Sequence, residues 1–253
     1  MLELSPKGLV PALKLEPDGK GDKAEVRGIC ESTVIMEYLV ERFGHASSSS
    51  SPSSPLQAQS QSQQLVLPPL SKPYERALHR IAADRVNRTL IPAFYRFLQA
   101  QEADKQAEYG KDFVAEVESF LRGMDIFAPR SDDTKDKEKE DKDKDKDGAD
   151  AQQRGGCWDG TSTPGWVDFM AAPWLFRATN VLKHYRGLEI ESALDESLRP
   201  RWRAWTDAVL AHPAWTATVS EESTYLESYA RYAENRPHTS QVATAINQGR
   251  GLP

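Results

Sequence analysis

The sequence predicts an α+β protein that is mostly helical, with a short strand–strand–helix segment first and a helical bundle after it. Short apolar runs separated by turn residues are confined to the first thirty positions, whereas later segments carry apolar residues at helical spacing. Two low-complexity tracts interrupt this pattern. Residues 47–64 contain nine Ser and five Gln, and residues 131–147 contain seven Asp, two Glu and six Lys. We expect residues 47–64 and 131–154 to be disordered surface loops, because neither can bury enough apolar area to offset the entropy of ordering.

The strands of the first segment are predicted from two apolar runs. Residues 9–15 and residues 26–30 flank a stretch that contains Asp-Gly and Gly-Asp pairs, which is typical of a hairpin with a long loop. From Ser32 the apolar residues change to helical spacing, with Ser32 as a candidate cap and Gly44 after the last apolar position.

The helical part is predicted in five pieces, which a charged insertion divides. Pro73 is placed in the first turn of the helical region that Ser71 opens. The predicted helices cover residues 71–98, 113–124, 166–185, 198–211 and 221–234. We therefore divide the chain into a partial N-terminal domain, a Ser/Gln-rich linker, a helical domain with its insertion at about 130–156, and a polar tail: residues 1–45, 46–70, 71–236 and 237–253.

Composition excludes several functions. The net charge is −6, and half of it lies in the charged tract, so no basic surface for nucleic acid is indicated. The two cysteines, Cys30 and Cys157, make neither a disulfide framework nor a metal-binding spacing, so we predict no metal site. There is no signal-peptide pattern and no apolar run of the roughly 18 residues that a membrane span needs. A cytoplasmic protein without membrane or nucleic-acid partners is expected.

Pro11 is the first residue that suggests a binding site. Proline lacks the donor that a sheet needs, so it belongs at an edge or at an exceptional position of a strand. A cis Val10–Pro11 bond would turn the backbone groups of Val10 outward, where an extended peptide-like ligand could pair with them as an added strand. An ordinary edge strand is the alternative.

Glu31 and Ser32 form the second candidate feature. Ser32 opens a helix, whose N-terminus favours a carboxylate, and Glu31 beside it offers an anion for an ammonium group. Together they suit a γ-glutamyl group, which carries both charges on one carbon. A plain capping serine beside a solvated glutamate is the alternative.

Taken together, these segments resemble the glutathione transferase family. The stretches SPKGLVPAL and ICESTVIMEYLVERFG resemble the second half of its thioredoxin-like N-terminal domain. Three later stretches resemble its helical C-terminal domain: KPYERALHRIAADRVNRTLIPAFYRFL, GWVDFMAAPWLFRATNVL and RWRAWTDAVLAHPAW. The PW-x-x-R pattern, with EYL-x-ERFG, points to the omega class. The resemblance covers nearly everything outside the two tracts and the tail.

The resemblance assigns roles to six residues. Val10 would hold the cysteinyl backbone of glutathione, the co-substrate, with Pro11 as the family's cis-proline. Glu31 and Ser32 would hold its γ-glutamyl end. Trp174 and Arg177 would border the pocket for the second substrate, a small electrophile or a disulfide. Alternatively, Trp174 belongs only to the core and Arg177 only pairs with an acidic neighbour. A homodimer is one possible assembly.

The chain departs from the family in its cysteines. Omega proteins use a cysteine near the start of a helix after the first strand, where the helix N-terminus lowers the thiol pKa. This chain begins beyond that point of the family pattern, and neither Cys30 nor Cys157 fits the position. We therefore expect a truncated thioredoxin-like half-domain, no catalytic residue in this chain, and weak or absent activity. The expected family function is glutathione-dependent thiol transfer or reduction, and a non-catalytic binding or regulatory protein is the alternative.

A smaller departure concerns the predicted helix that carries Trp174. Its N-cap position holds Gly165 where the family has Ser or Thr, and glycine caps less well by a few tenths of a kcal/mol. Asp168, three residues later, is expected to act alone on the first turn.

Overall fold

A computed structural model describes residues 4–6, 8–15, 27–43, 66–124 and 155–253. The predictions made for the Ser/Gln-rich and the charged tracts lie outside these residues. The chain divides into two compact units, Met1–Val66 and Leu67–Pro253. Each unit is described by itself.

The first unit contains the predicted hairpin and helix. Strand β1 (Ala12–Leu15) pairs antiparallel with strand β2 (Arg27–Cys30), and the register joins Ala12 to Cys30 and Leu15 to Arg27. Helix α1 (Ser32–Phe43) follows β2 after a single residue. A side chain at Gly28 would meet the Cα of Leu4 at 3.0 Å, so glycine lets the segment before β1 pass close to β2.

Ser32 does not cap α1, which corrects the sequence-based expectation. Ser32 is the first helical residue, and the carbonyl oxygen of Glu31 accepts the first helical hydrogen bond from Ile35 N at 2.9 Å. Glu31 therefore occupies the N-cap position. Ser32 is exposed in the first turn of α1.

The second unit is all helical among the described residues. Ser71 was expected to open its first helix, but the N-cap is Lys72, and proline follows at the first helical position. The α-helices are α2 (Pro73–Arg85), α3 (Ile91–Gln99), α4 (Ala103–Gly123), α5 (Trp166–Arg177), α6 (Lys183–Arg186), α7 (Ile190–Ala193), α8 (Arg199–Leu210), α9 (Pro213–Thr218), α10 (Glu222–Ala233) and α11 (Gln241–Asn247).

Two wide π-helical turns break long helical stretches that the sequence predicts as continuous. Val86–Leu90 separates α2 from α3, and Ala178–Leu182 separates α5 from α6. Pro92 follows the first turn, and Pro173 lies inside α5 just before the second. Since proline has no N–H to donate, the regular ladder of hydrogen bonds loses one bond at each of these two prolines.

The core of the second unit is built around large aromatic side chains. Trp166, Trp205, Phe94 and Phe113 are among its largest fully buried residues. The apolar spacing within residues 71–98 includes Ile81, but this residue of α2 is 66% exposed. Helix α2 instead buries polar side chains, which find partners: Arg76 donates to the carbonyl oxygen of Pro68 at 2.9 Å, and the ring of His79 lies edge-on to Trp158 at 5.6 Å.

Asp168 ties together three parts of the second unit. Its carboxylate accepts hydrogen bonds from the backbone of Trp158 at 2.9 Å, the backbone of Gly165 at 2.9 Å and the indole Nε1 of Trp205 at 2.7 Å. Gly165 is the N-cap of α5, as predicted, and because glycine has no side chain to reciprocate, Asp168 alone holds that helix start. Burial raises the pKa of Asp168 to about 6, although the three donors oppose the shift.

The ends of several helices meet around Arg186. Its guanidinium donates to the carbonyl oxygens of Phe97, Leu98 and Ala233, the last at 2.6 Å, so it satisfies groups that a helix leaves unpaired at its C-terminus. The tail, in which no period was visible, contains helix α11. Ser240 caps this helix by accepting from Ala243 N at 3.0 Å. None of the described helices has the length and apolar character to cross a membrane.

Candidate functional site

The hairpin register brings the four predicted glutathione-binding residues to one end of the sheet. The ladder ends at the pair Ala12 and Cys30, so Val10 and Pro11 precede it on one strand while Glu31 and Ser32 follow it on the other. Val10 is 74% exposed, and the Val10–Pro11 peptide bond is cis, as the resemblance implied. The unpaired end of the hairpin can therefore offer backbone groups of Val10 to an extended ligand.

Glu31 has an unusual backbone. Its φ is 73°, in the left-handed region that a residue with a Cβ rarely adopts. Such strain costs on the order of 1–3 kcal/mol and is concentrated at functional sites. The conformation turns the chain sharply from β2 into α1. Glu31 and Ser32 are consequently both exposed at the same corner.

The first turn of α1 offers its positive end to a ligand. The first turn of α1 contains no acidic residue. The backbone N–H groups of a first turn carry about half a positive charge, which favours an anion there. A carboxylate can thus bind at Ser32 while the side chain of Glu31, just before the helix, attracts an ammonium group. This corner of the first unit suits a zwitterionic α-amino acid group.

The other two predicted residues lie in the second unit, at the end of α5. The guanidinium of Arg177 lies 5.1 Å from the ring centre of Trp174, 5.3 Å from that of Tyr225 and 5.7 Å from that of Tyr229. Its Nη1 donates to the carbonyl oxygen of Pro173 at 2.7 Å. Among the described residues, the contacts of Arg177 are this hydrogen bond and the three rings, and an ion pair with a carboxylate is not among them.

Trp174 is half-buried at the edge of an aromatic cluster. Its ring lies edge-on to Phe94 at 5.7 Å and to Tyr95 at 5.5 Å. Tyr95 and Tyr229 share a hydrogen bond, and burial raises the pKa of both hydroxyls, so both are neutral. One face of Trp174 therefore belongs to the core, while the indole also borders the guanidinium of Arg177.

Sequence analysis missed the part that α10 plays at this position. The sequence predicts a helix over residues 221–234 without indicating its contacts, and the structure places two of its tyrosines, Tyr225 and Tyr229, against the guanidinium of Arg177. The available signal was their spacing of four residues, which puts both rings on one side of a helix. That spacing cannot reveal which cation they meet.

Neither cysteine is placed as an activated nucleophile. Cys30 is the last residue of β2 and is half-buried. Cys157 is 2% exposed, and burial raises its pKa to about 12, so its thiol is protonated at neutral pH. Neither cysteine lies in the first turn of a helix, where the dipole would stabilise a thiolate.

An apolar cavity and a metal-binding cluster are two other kinds of site that the described residues could form. An apolar cavity of about 160 Å³ lies between α2 and α4, and its lining, which includes Leu78, Ile81, Phe120 and Trp158, contains none of the predicted site residues. No group of three or more potential ligands that could hold a metal ion is found in the part of the chain that the structure describes.

Comparison with known proteins identifies the fold. Residues 101–208 match the family model described as glutathione S-transferase, C-terminal domain. Among solved structures, the chain is similar to glutathione transferase Omega 3C from Trametes versicolor, with 24% identity over 92% of this chain and 73% of that one and a TM-score of 0.57. It is also similar to a Tau class glutathione S-transferase from mango, Mangifera indica, with 16% identity over 84% and 76% and a TM-score of 0.53. No curated protein matches the sequence.

Proposed function

We propose a function for this chain from the premise that it has the glutathione transferase fold and carries the family's C-terminal domain. The proposed function is glutathione-dependent thiol transfer of the omega type, acting on small electrophiles or oxidised thiols in the cytoplasm. Its support in the first unit is the corner formed by Val10, Pro11, Glu31 and Ser32. The left-handed Glu31 at the start of α1 is the single observation that carries it, because a plain helix cap needs no such strain.

Glutathione would bind at this corner through two of its parts, the zwitterionic γ-glutamyl group and the cysteinyl backbone. The α-carboxylate of the γ-glutamyl group would accept from the first turn of α1 and from the hydroxyl of Ser32. The α-ammonium would pair with Glu31. The cysteinyl backbone would pair with Val10, which is exposed beyond the last pair of the ladder. Because these contacts address only part of the tripeptide, we expect weak binding.

A titration of the whole chain with three ligands tests this assignment. Glutathione and γ-glutamylcysteine share the γ-glutamyl group, and cysteinylglycine lacks it. We expect the first two to bind with similar affinity in ligand-observed NMR, and cysteinylglycine at least tenfold more weakly. Glu31→Ala and Ser32→Ala should each weaken glutathione by about 1–3 kcal/mol, the usual cost of a lost charge-assisted hydrogen bond.

The matched control is Glu41→Ala, which removes an exposed carboxylate from the last turns of the same helix. It should leave the affinity for glutathione unchanged. If Glu31→Ala and Ser32→Ala also bind glutathione as the parent chain does, the corner is only a helix start and the proposed function loses its support.

The placement of the two cysteines favours a second candidate, a non-catalytic glutathione transferase-fold protein that binds or regulates a partner. Cys157 is buried with a raised pKa, and Cys30 ends a strand, so neither presents an activated thiolate. Binding of glutathione without turnover would support this candidate over the enzyme. The homodimer remains a prediction, for which sedimentation equilibrium of the full chain is the measurement.

A further inference from the structure

The environment of Arg177 is unlike that of the other arginines in the second unit. Three rings surround its guanidinium, those of Trp174 on α5 and of Tyr225 and Tyr229 on α10, with centroid distances of 5.1–5.7 Å. We call these four residues the Arg177 box. Rings attract a cation through their negative faces, and the attraction grows as water is excluded. The box therefore holds a cation in a fixed position at the end of α5.

The hydrogen-bonding capacity of this guanidinium is largely unused. A guanidinium has five N–H donors, and the contact from Nη1 to Pro173 uses one of them. The Nε atom is buried without a partner. Arg186, by contrast, donates to four backbone carbonyl oxygens, and the exposed Arg88 and Arg203 pair with carboxylates. A half-buried cation without a counter-ion among the described residues is costly, which an incoming anion would relieve.

Tyr229 adds a second donor to the box. Tyr95 and Tyr229 share a hydrogen bond, which uses only one of the two hydroxyl protons of the pair and leaves the other for a further acceptor. Tyr229 also contributes one of the three rings around Arg177. A guanidinium and a neutral phenol are both donors that a carboxylate accepts well, and the surrounding rings of Trp174 and Tyr225 offer faces for an aromatic group.

We propose that the Arg177 box binds the carboxylate of an aromatic acid. This inference rests on the proposed function, because it adds an aromatic carboxylate, as the group that the protein recognises, to the small electrophile or disulfide that serves as second substrate. The carboxylate takes the place of the missing counter-ion of Arg177 and accepts from Tyr229. The aromatic ring of the ligand packs on the half-buried side of Trp174 and on Tyr225.

Two probes of nearly equal shape test the box directly. The first, 1-naphthoate, carries a carboxylate, and the second, 1-naphthamide, replaces it with an uncharged amide. We expect calorimetry on the full chain to show at least tenfold tighter binding of 1-naphthoate. Raising the salt concentration from 50 to 500 mM should weaken 1-naphthoate and leave 1-naphthamide unchanged, since salt screens the interaction of charges.

Substitutions assign the preference to one side chain. Arg177→Gln should abolish the preference for 1-naphthoate, and Arg177→Lys, which keeps the charge but loses the planar donors, should retain part of it. Arg88→Gln is the matched control, because Arg88 is an exposed arginine of the same unit whose partner is Asp84. It should keep the full preference. Comparing two probes within one variant separates loss of the anion site from partial unfolding, which weakens both probes equally.

Three results would overturn the proposal: equal binding of the two probes, no binding of either, or a preference that survives Arg177→Gln. Glutathione is absent from these titrations, and all residues of the box lie in the second unit. Failure of the glutathione corner, measured with Glu31→Ala and Ser32→Ala, is therefore distinguishable from failure of the box.

Discussion

Replacing Asp168 by alanine should destabilise the second unit more than most single substitutions. The carboxylate is 1% exposed and accepts from Trp158 N, Gly165 N and Trp205 Nε1. Alanine leaves all three buried donors without an acceptor. Each unpaired buried group costs about 1–3 kcal/mol, and because the three share one acceptor the losses do not simply add. We expect the free energy of unfolding to fall by about 3–5 kcal/mol.

Urea denaturation followed by tryptophan fluorescence measures this loss. All six tryptophans lie in the second unit, so their fluorescence reports on that unit alone. With a slope of about 2 kcal/mol per M urea, the midpoint should fall by about 2 M. Asp104→Ala is the control, because Asp104 is an exposed acidic residue in the first turn of α4 and contributes about 0.3–1 kcal/mol through the helix dipole.

The same residue predicts a dependence of stability on pH. The pKa of Asp168 is raised from 3.8 to about 6, so the folded state binds this proton more tightly than the unfolded chain does. The stabilisation from protonation is therefore complete below about pH 4 and is lost as the pH rises through about 6. Over that range of rising pH, the unfolding free energy of the parent should fall by about 1–3 kcal/mol relative to that of Asp168→Asn.

Two outcomes would refute this account of Asp168. One is a loss below about 1 kcal/mol in Asp168→Ala, comparable to the loss in Asp104→Ala, because three stranded buried donors cannot cost so little. The other is a parent whose unfolding free energy rises relative to that of Asp168→Asn as the pH rises from 4 to 7, since that sign requires a lowered pKa.

Three further predictions concern the cysteines and the tail. Cys157 should react with iodoacetamide at pH 8 at least a hundredfold more slowly than free cysteine, because a pKa of about 12 leaves little thiolate; mass spectrometry of the labelled chain measures this, and equal rates would contradict it. Glutathione-dependent turnover by the purified chain should be weak. Turnover that Cys30→Ala abolishes would make Cys30 the nucleophile, whereas no turnover above the buffer rate would favour the non-catalytic candidate. Ser240→Ala removes the cap of α11 and should lower the free energy of opening of this helix, measured by hydrogen exchange, by about 1 kcal/mol. Unchanged exchange would show that packing alone stabilises the helix.

Much of the secondary structure was predictable because its signals are local. The hairpin was indicated by turn residues between apolar runs, and most helices by the period of their apolar positions. The start of α5 at Gly165, with Asp168 acting alone, followed from residue types three positions apart. The π-helical turns and helix α11 were not predicted, because a helix that widens beside a proline, or one with a short and mostly small-residue apolar face, has a weak period.

The sequence by itself determined which residue types are present for a site, and the tertiary structure decided what each of them meets. Glu31 and Ser32 were recognisable as neighbours at a helix start, but the left-handed backbone of Glu31 and its position beside Val10 depend on the register of β1 and β2. The rings around Arg177 come from α5 and from α10, which lie far apart in the chain. Such contacts carry no periodic or compositional signal, because they arise only when the packing of apolar faces brings distant helices together.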